Sequence, residues 1–189
     1  MTSAAEQDVD PASFHRLHIV QGEQCVSDDP SAVLSTLLGS CVAACMRDAG
    51  AGIGGMNHFL LPGRQSQAGA AGSLSHGVHA MELLVNALLA KGARRDRLEA
   101  KLFGGASLMD GLTDIGALNA AFAEDFLKRE GIAHVGGSLG GRQGRRIQFW
   151  PVSGRARQVL LAVDNPDARL IDRRVAAIRP KDTGTLELF

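Results

Sequence analysis

Glycine divides this chain into short pieces. There are 23 glycines among 189 residues, gathered in clusters at 50–55, 63–77, 104–105 and 136–144. The clusters follow no period, which excludes collagen-like and simple repeat architectures. Short apolar runs lie between them, the pattern of strands joined by turns and close backbone approaches. Strands are expected at 17–20, 33–38, 42–46, 56–61, 98–102, 146–149 and 158–163, with a turn over 48–55. The Gly/Ala/Ser/Gln stretch 64–77 reads as a long loop. Val78, Met81, Leu84, Val85, Leu88 and Leu89 keep helical spacing up to Lys91-Gly92, a cation followed by a glycine C-cap. A second helix is expected from Asn119 as N-cap, through Phe122, Phe126 and Leu127, to Gly131. Segregated strands with two helices make an α+β layered fold.

Composition narrows the function classes. Lys+Arg and Asp+Glu number 20 each, so no bulk charge draws the chain to nucleic acid or anionic lipid. Aromatics are 4%, with no tyrosine and one tryptophan, which leaves few stacking platforms for single strands. No apolar run approaches the roughly 20 residues of a membrane span. Residues 1–14 are expected to be a flexible tail, 15–163 the domain and 164–189 a C-terminal extension. The three cysteines, an odd count without a leader-like start, argue for free thiols in the cytoplasm.

Three groups could carry chemistry. The first is Cys41 with His58, since an imidazole beside a thiol favours the nucleophilic thiolate. A hairpin centred on Ala49-Gly50 would put the two directly opposite each other, and one extra loop residue would break that parity. Gly39 and Ser40 permit a tight bend whose N–H groups could line an oxyanion hole. Free cysteine is also among the most buried residue types, and packing suits Cys45 in its apolar run better than chemistry does. The second group is a soft metal set of Cys41, Cys45 and His58 with His76 or His79. It lacks the two tight ligand pairs usual for structural zinc. The third is the glycine loop 136–142, which fails both the Walker A and the dinucleotide spacing. Arg142, Arg145 and Arg146 beside it are candidate contacts for an acidic partner surface, with a solvated basic turn as the alternative.

The residues also carry a resemblance. Leu37-Leu38-Gly39-Ser40-Cys41-Val42 and Gly54-Gly55-Met56-Asn57-His58-Phe59-Leu60-Leu61-Pro62 resemble the two signature blocks of the CheD family of chemoreceptor glutamine deamidases. Further blocks agree in order: Ala80-Met81-Glu82-Leu83-Leu84, Lys101-Leu102-Phe103-Gly104-Gly105-Ala106, Ile115-Gly116 with Asn119, Gly136-Gly137 leading to Gly141-Arg142, and the ending Leu186-Glu187-Leu188-Phe189. The resemblance implies a cytoplasmic cysteine hydrolase that converts glutamine side chains of methyl-accepting chemotaxis receptors to glutamate. It implies a layered α/β/β sandwich of mostly antiparallel strands, similar to the deamidase domain of cytotoxic necrotizing factor toxins. The implied partners are the cytoplasmic helical region of the receptors and, in some bacteria, a CheC-type phosphatase; no cofactor, nucleic acid or membrane insertion is implied. The family triad is Cys, His and a hydroxyl residue six positions before the cysteine. Counting back from Cys41 makes Ser35 the first choice for the third member and Thr36 the second. A non-catalytic adaptor and a thiol redox or metal protein are the competing classes.

Overall fold

Side-chain alternation sets the layers. In strand β3 (Ala32–Leu38), Leu34, Thr36 and Leu38 are buried on one face while Ser35 and Leu37 on the other are half-buried. Strands β4 (Val42–Asp48) and β5 (Ile53–Asn57) are buried on both faces, as the middle of a stack requires. The computed structural model describes residues 14–61, 69–107 and 114–162. The remaining strands are β1 (His15–His18), β2 (Gln24–Ser27), β6 (Leu98–Gly104), β7 (Ala133–Leu139), β8 (Arg145–Phe149) and β9 (Ala156–Leu160). The helices are α1 (Gly69–Ala90) and α2 (Ile115–Glu130).

Two sheets form, a four-stranded one ordered β1-β3-β8-β9 and a five-stranded one ordered β2-β5-β4-β6-β7. The β1–β3 and β6–β7 pairs are parallel and the rest antiparallel. Both helices cover one face of the five-stranded sheet. Met81, Leu84 and Leu88 of α1 and Phe122 and Phe126 of α2 share a core there with Val42, Ala44, Met46 and Leu102. The other face of that sheet supplies Ala43, Cys45, Met56 and Phe103 to a second core with Leu34, Leu38, Ile147 and Phe149 of the four-stranded sheet. The result is α+β: helices, five-stranded sheet, four-stranded sheet. Among the described residues, no helix is long and apolar enough to cross a membrane.

Several expectations need correction. Residues 69–77 are helical, not loop, and Gly77 lets the helix close on its neighbours: a Cβ there would overlap Leu61 and Phe122. Helix α2 begins four residues before Asn119, with Asp114 as its N-cap accepting from Ala117 N at 2.9 Å. Strands β2 and β7 are additional to those expected, and β5 starts at Ile53 inside the stretch read as turn. The N-terminal tail, the C-terminal extension from 164 and residues 64–68 lie outside the described residues.

The turn after β4 is fixed by Asp48, whose fully buried carboxylate accepts from Ala51 N at 3.1 Å, Arg94 N at 2.9 Å and Arg97 Nη2 at 2.7 Å. Burial works against its charge; the bonds from Arg94, Arg97 and Ala51 outweigh it and leave the carboxyl below the ordinary carboxylate range.

Candidate active site

Cys41 stands in the bend just ahead of β4, and His58 just past the end of β5. The β4–β5 register pairs Asp48 with Ile53 and Cys45 with Met56, and an isolated bridge carries it on to Val42 and Phe59. The turn is therefore centred on Gly50-Ala51, two residues off the expected register. Cys41 lies diagonal to His58 rather than directly opposite it. Parity is kept, so both face the four-stranded sheet, at the diagonal spacing of roughly 7–8 Å that long side chains can cross. Val42 and Phe59 lock the crossing by exchanging backbone bonds of 3.0 and 2.9 Å.

His58 is buried, 2% exposed, and Thr36 sets its orientation. Thr36 Oγ1 donates its single proton to the Ile19 carbonyl at 2.6 Å and lies 2.8 Å from His58 Nδ1. A hydroxyl whose proton is spent can only accept, so Nδ1 carries the imidazole hydrogen and Nε2 is the basic nitrogen of the neutral ring. Ser35 is on the opposite face of β3 by strand alternation, paired in register with Gln148. The structure thus brings Thr36, and not the first-choice Ser35, to the imidazole.

The bend before the cysteine is held by its carbonyls. Gly39 O accepts from Ala106 N at 2.9 Å, Ser40 O from Asn119 Nδ2 at 2.9 Å, and Cys41 O from Gly105 N at 2.8 Å. In trans peptides the next N–H points the opposite way, so these bonds also fix the directions of the Ser40 and Cys41 N–H groups. Gly104, at φ +111°, adopts a conformation L side chains rarely take, and a Cβ there would overlap the Cys41 carbonyl oxygen.

Asn119 was expected as a helix cap and is instead a buried bridge. It is 0% exposed; its Oδ1 accepts from Leu61 N at 2.8 Å while Nδ2 holds Ser40 O. One side chain from α2 thereby joins the cysteine bend to the segment that follows His58.

The other candidates scatter. Cys45 is buried between the sheets, and desolvation pushes its thiol well above the ordinary range. Burial also raises the Cys25 thiol on β2. His76 and His79 are exposed on α1, and among the described residues no group of three His, Cys, Asp or Glu is placed to hold a metal ion. Arg145 is 2% exposed, so it cannot meet a partner surface. Its guanidinium donates to the carbonyls of Ser138, at 2.9 Å, and Gly140, bracing the loop between β7 and β8. Burial lowers its pKa. Arg142 and Arg146 are exposed on either side of it.

The family model described as CheD chemotactic sensory transduction matches residues 60–159. A protein of Acidiphilium cryptum (strain JF-5) named "Probable chemoreceptor glutamine deamidase CheD" is 61% identical over 192 residues, covering 100% of both chains. The chain belongs to the CheD family. A protein of the same name from Caulobacter sp. (strain K31) is 55% identical over 190 residues, again covering 100% of both chains. Among solved structures, Neisseria meningitidis protein NMB0706 is similar at a TM-score of 0.48 and 13% identity, over 69% of this chain and 65% of that one.

Proposed function

We propose that this CheD-family chain hydrolyses glutamine side chains of chemotaxis receptors to glutamate, with Cys41 as nucleophile and His58 as general base and acid. The observation that carries the reading is the hydrogen-bond order Ile19 O, Thr36 Oγ1, His58 Nδ1, which leaves Nε2 as the basic nitrogen in a ring diagonal to Cys41. His58 takes the thiol proton, and the thiolate attacks the carboxamide carbon. N–H groups of the 39–41 bend hold the oxyanion. Protonated His58 gives its proton to the leaving ammonia, and water hydrolyses the thioester to glutamate. Thr36 orients the ring as third member of the triad.

The same proposal covers partner and place. The substrate is the cytoplasmic helical region of a methyl-accepting receptor, so the enzyme works in the cytoplasm. Exposed Arg142 and Arg146 supply basic contacts, and a CheC-type phosphatase is a further partner. A three-layer stack with a cysteine leading into a central strand also supports likeness to the deamidase domain of cytotoxic necrotizing factor toxins.

The test is mass spectrometry of a receptor cytoplasmic fragment incubated with wild type and with Cys41→Ala. A glutamine-to-glutamate mass change that requires Cys41 is expected. Deamidation by folded Cys41→Ala would overturn the nucleophile, and no change with either protein would favour the adaptor reading.

A further inference from the structure

The segment 19–23 touches every side chain of the proposed triad. Ile19 O accepts from Thr36. Residues 20–23 form a tight turn, closed by Glu23 N to Val20 O at 3.0 Å, with Gly22 at φ +89° as the third residue of a type II turn demands. The turn is clamped to the main chain of His58 from both sides: Gly22 N donates to His58 O at 2.7 Å and His58 N to Glu23 O at 3.0 Å. Glu23 Oε2 caps the turn from below by accepting from Val20 N at 3.0 Å. This rigid turn carries Gln21, whose Oε1 lies 3.7 Å from Cys41 Sγ. Gln21 is otherwise exposed, where water would satisfy its amide and leave the side chain its rotamer freedom. Here it is laid against the sulfur instead.

We propose that Gln21 is a catalytic residue whose carboxamide accepts from the resting Cys41 thiol and, turned about its last torsion, donates Nε2–H to the oxyanion. The proposal rests on Cys41 being the nucleophile. A carboxamide suits both duties because it carries an acceptor and two donors on one planar group. Sγ–H meets Oε1 at rest. When His58 has taken that proton, a half-turn of the amide brings Nε2 to the sulfur side. The sulfur lone pair then forms the S–C bond with the substrate carboxamide carbon, and the carbonyl π pair moves to oxygen, where Nε2–H receives it. Collapse of the oxyanion breaks the C–N bond, and ammonia leaves with the proton from His58. The thioester step repeats the geometry with water attacking, His58 taking its proton, and the thiolate leaving. The net change is one water consumed, one ammonia released.

The experiment uses the full chain and a receptor cytoplasmic fragment, with Gln21→Ala, Gln21→Met, Gln21→Glu and Cys41→Ala, each checked for wild-type thermal unfolding. Gln21→Ala and Gln21→Met should lower kcat by roughly 10²–10³-fold, the cost of one oxyanion donor, with KM nearly unchanged. In receptor-free protein, Gln21→Glu should shift the pH midpoint of Cys41 alkylation by iodoacetamide upward, because a carboxylate opposes the thiolate. A folded Gln21→Met with wild-type kcat would overturn the proposal, as would loss confined to KM. A Cys41-dependent gain of one mass unit at Gln21 in wild type would also overturn it, by making the residue a substrate in cis. Full activity in Gln21→Ala beside a dead Cys41→Ala removes Gln21 alone, whereas activity in Cys41→Ala removes the nucleophile and this inference with it.

Discussion

Thr36 Oγ1 sits 2.8 Å from His58 Nδ1 with its own proton already committed to Ile19. The hydroxyl is therefore an acceptor for the ring, and deleting it leaves His58 Nδ1 only the longer 3.5 Å contact to the Ile19 carbonyl in its place. Thr36→Val should lower kcat/KM on a receptor fragment on the order of 10²-fold, since the ring loses its 2.8 Å anchor. Thr36→Ser should recover most of that loss. Ser35→Ala, on the other face of β3, should leave steady-state rates within about threefold of wild type. Equal losses at both positions would remove the distinction drawn between them.

Asn119 is the second test. Replacing it by alanine leaves Leu61 N–H and Ser40 C=O without their buried partner, which costs about 2–4 kcal/mol on the usual penalty for such groups. Urea unfolding should show that loss. Asn119→Asp keeps the acceptor for Leu61 and loses the donor to Ser40, so it should disturb the cysteine bend more than the histidine segment. The check is the alkylation rate of Cys41 in that variant, expected to change while the His58 side stays ordered.

These positions show what the sequence reveals and what it hides. The apolar face of α1 is legible because Met81, Leu84 and Leu88 repeat at the helical period and all three are buried. Cys41 and His58 are legible as a pair, because hairpin parity survives a two-residue change of register. The hydroxyl that meets the imidazole is not, because counting back from Cys41 crosses the bend at Gly39-Ser40, where strand parity has no meaning. Asn119 misleads for a different reason: an asparagine near a helix start suits a cap, and only the packed structure shows it four residues into the helix. Strand β7 is hidden by its own glycines, which carry no alternation. Gln21 gives no signal at all, since a glutamine in a turn is ordinary until its neighbour in space is a thiol.

Asp48 predicts the acid limit of the fold. Its carboxyl is depressed in the folded protein, so its stabilising contribution is complete above the unfolded value of about 3.9 and is lost as pH falls through the lower folded value. Thermal melts should hold steady from about pH 7 to about pH 5 as far as this residue is concerned, then fall. Asp48→Asn should flatten the part of that fall that belongs to it, at a cost on the order of 3 kcal/mol near neutrality. A variant as stable as wild type at pH 7 would contradict this account of the turn.

The Asn119 bridge spans 58 residues to Leu61 and 79 to Ser40. Contacts that distant along the chain repay their loop-closure entropy late, after most of the surrounding structure has condensed. A chain still emerging from synthesis, or one partly opened by heat or a destabilising mutation, would hold the thiol and the imidazole without holding them together. Such a protein would lose its reactivity toward carboxamides before it lost its compactness, so an incompletely folded copy would leave the glutamines of its neighbours untouched.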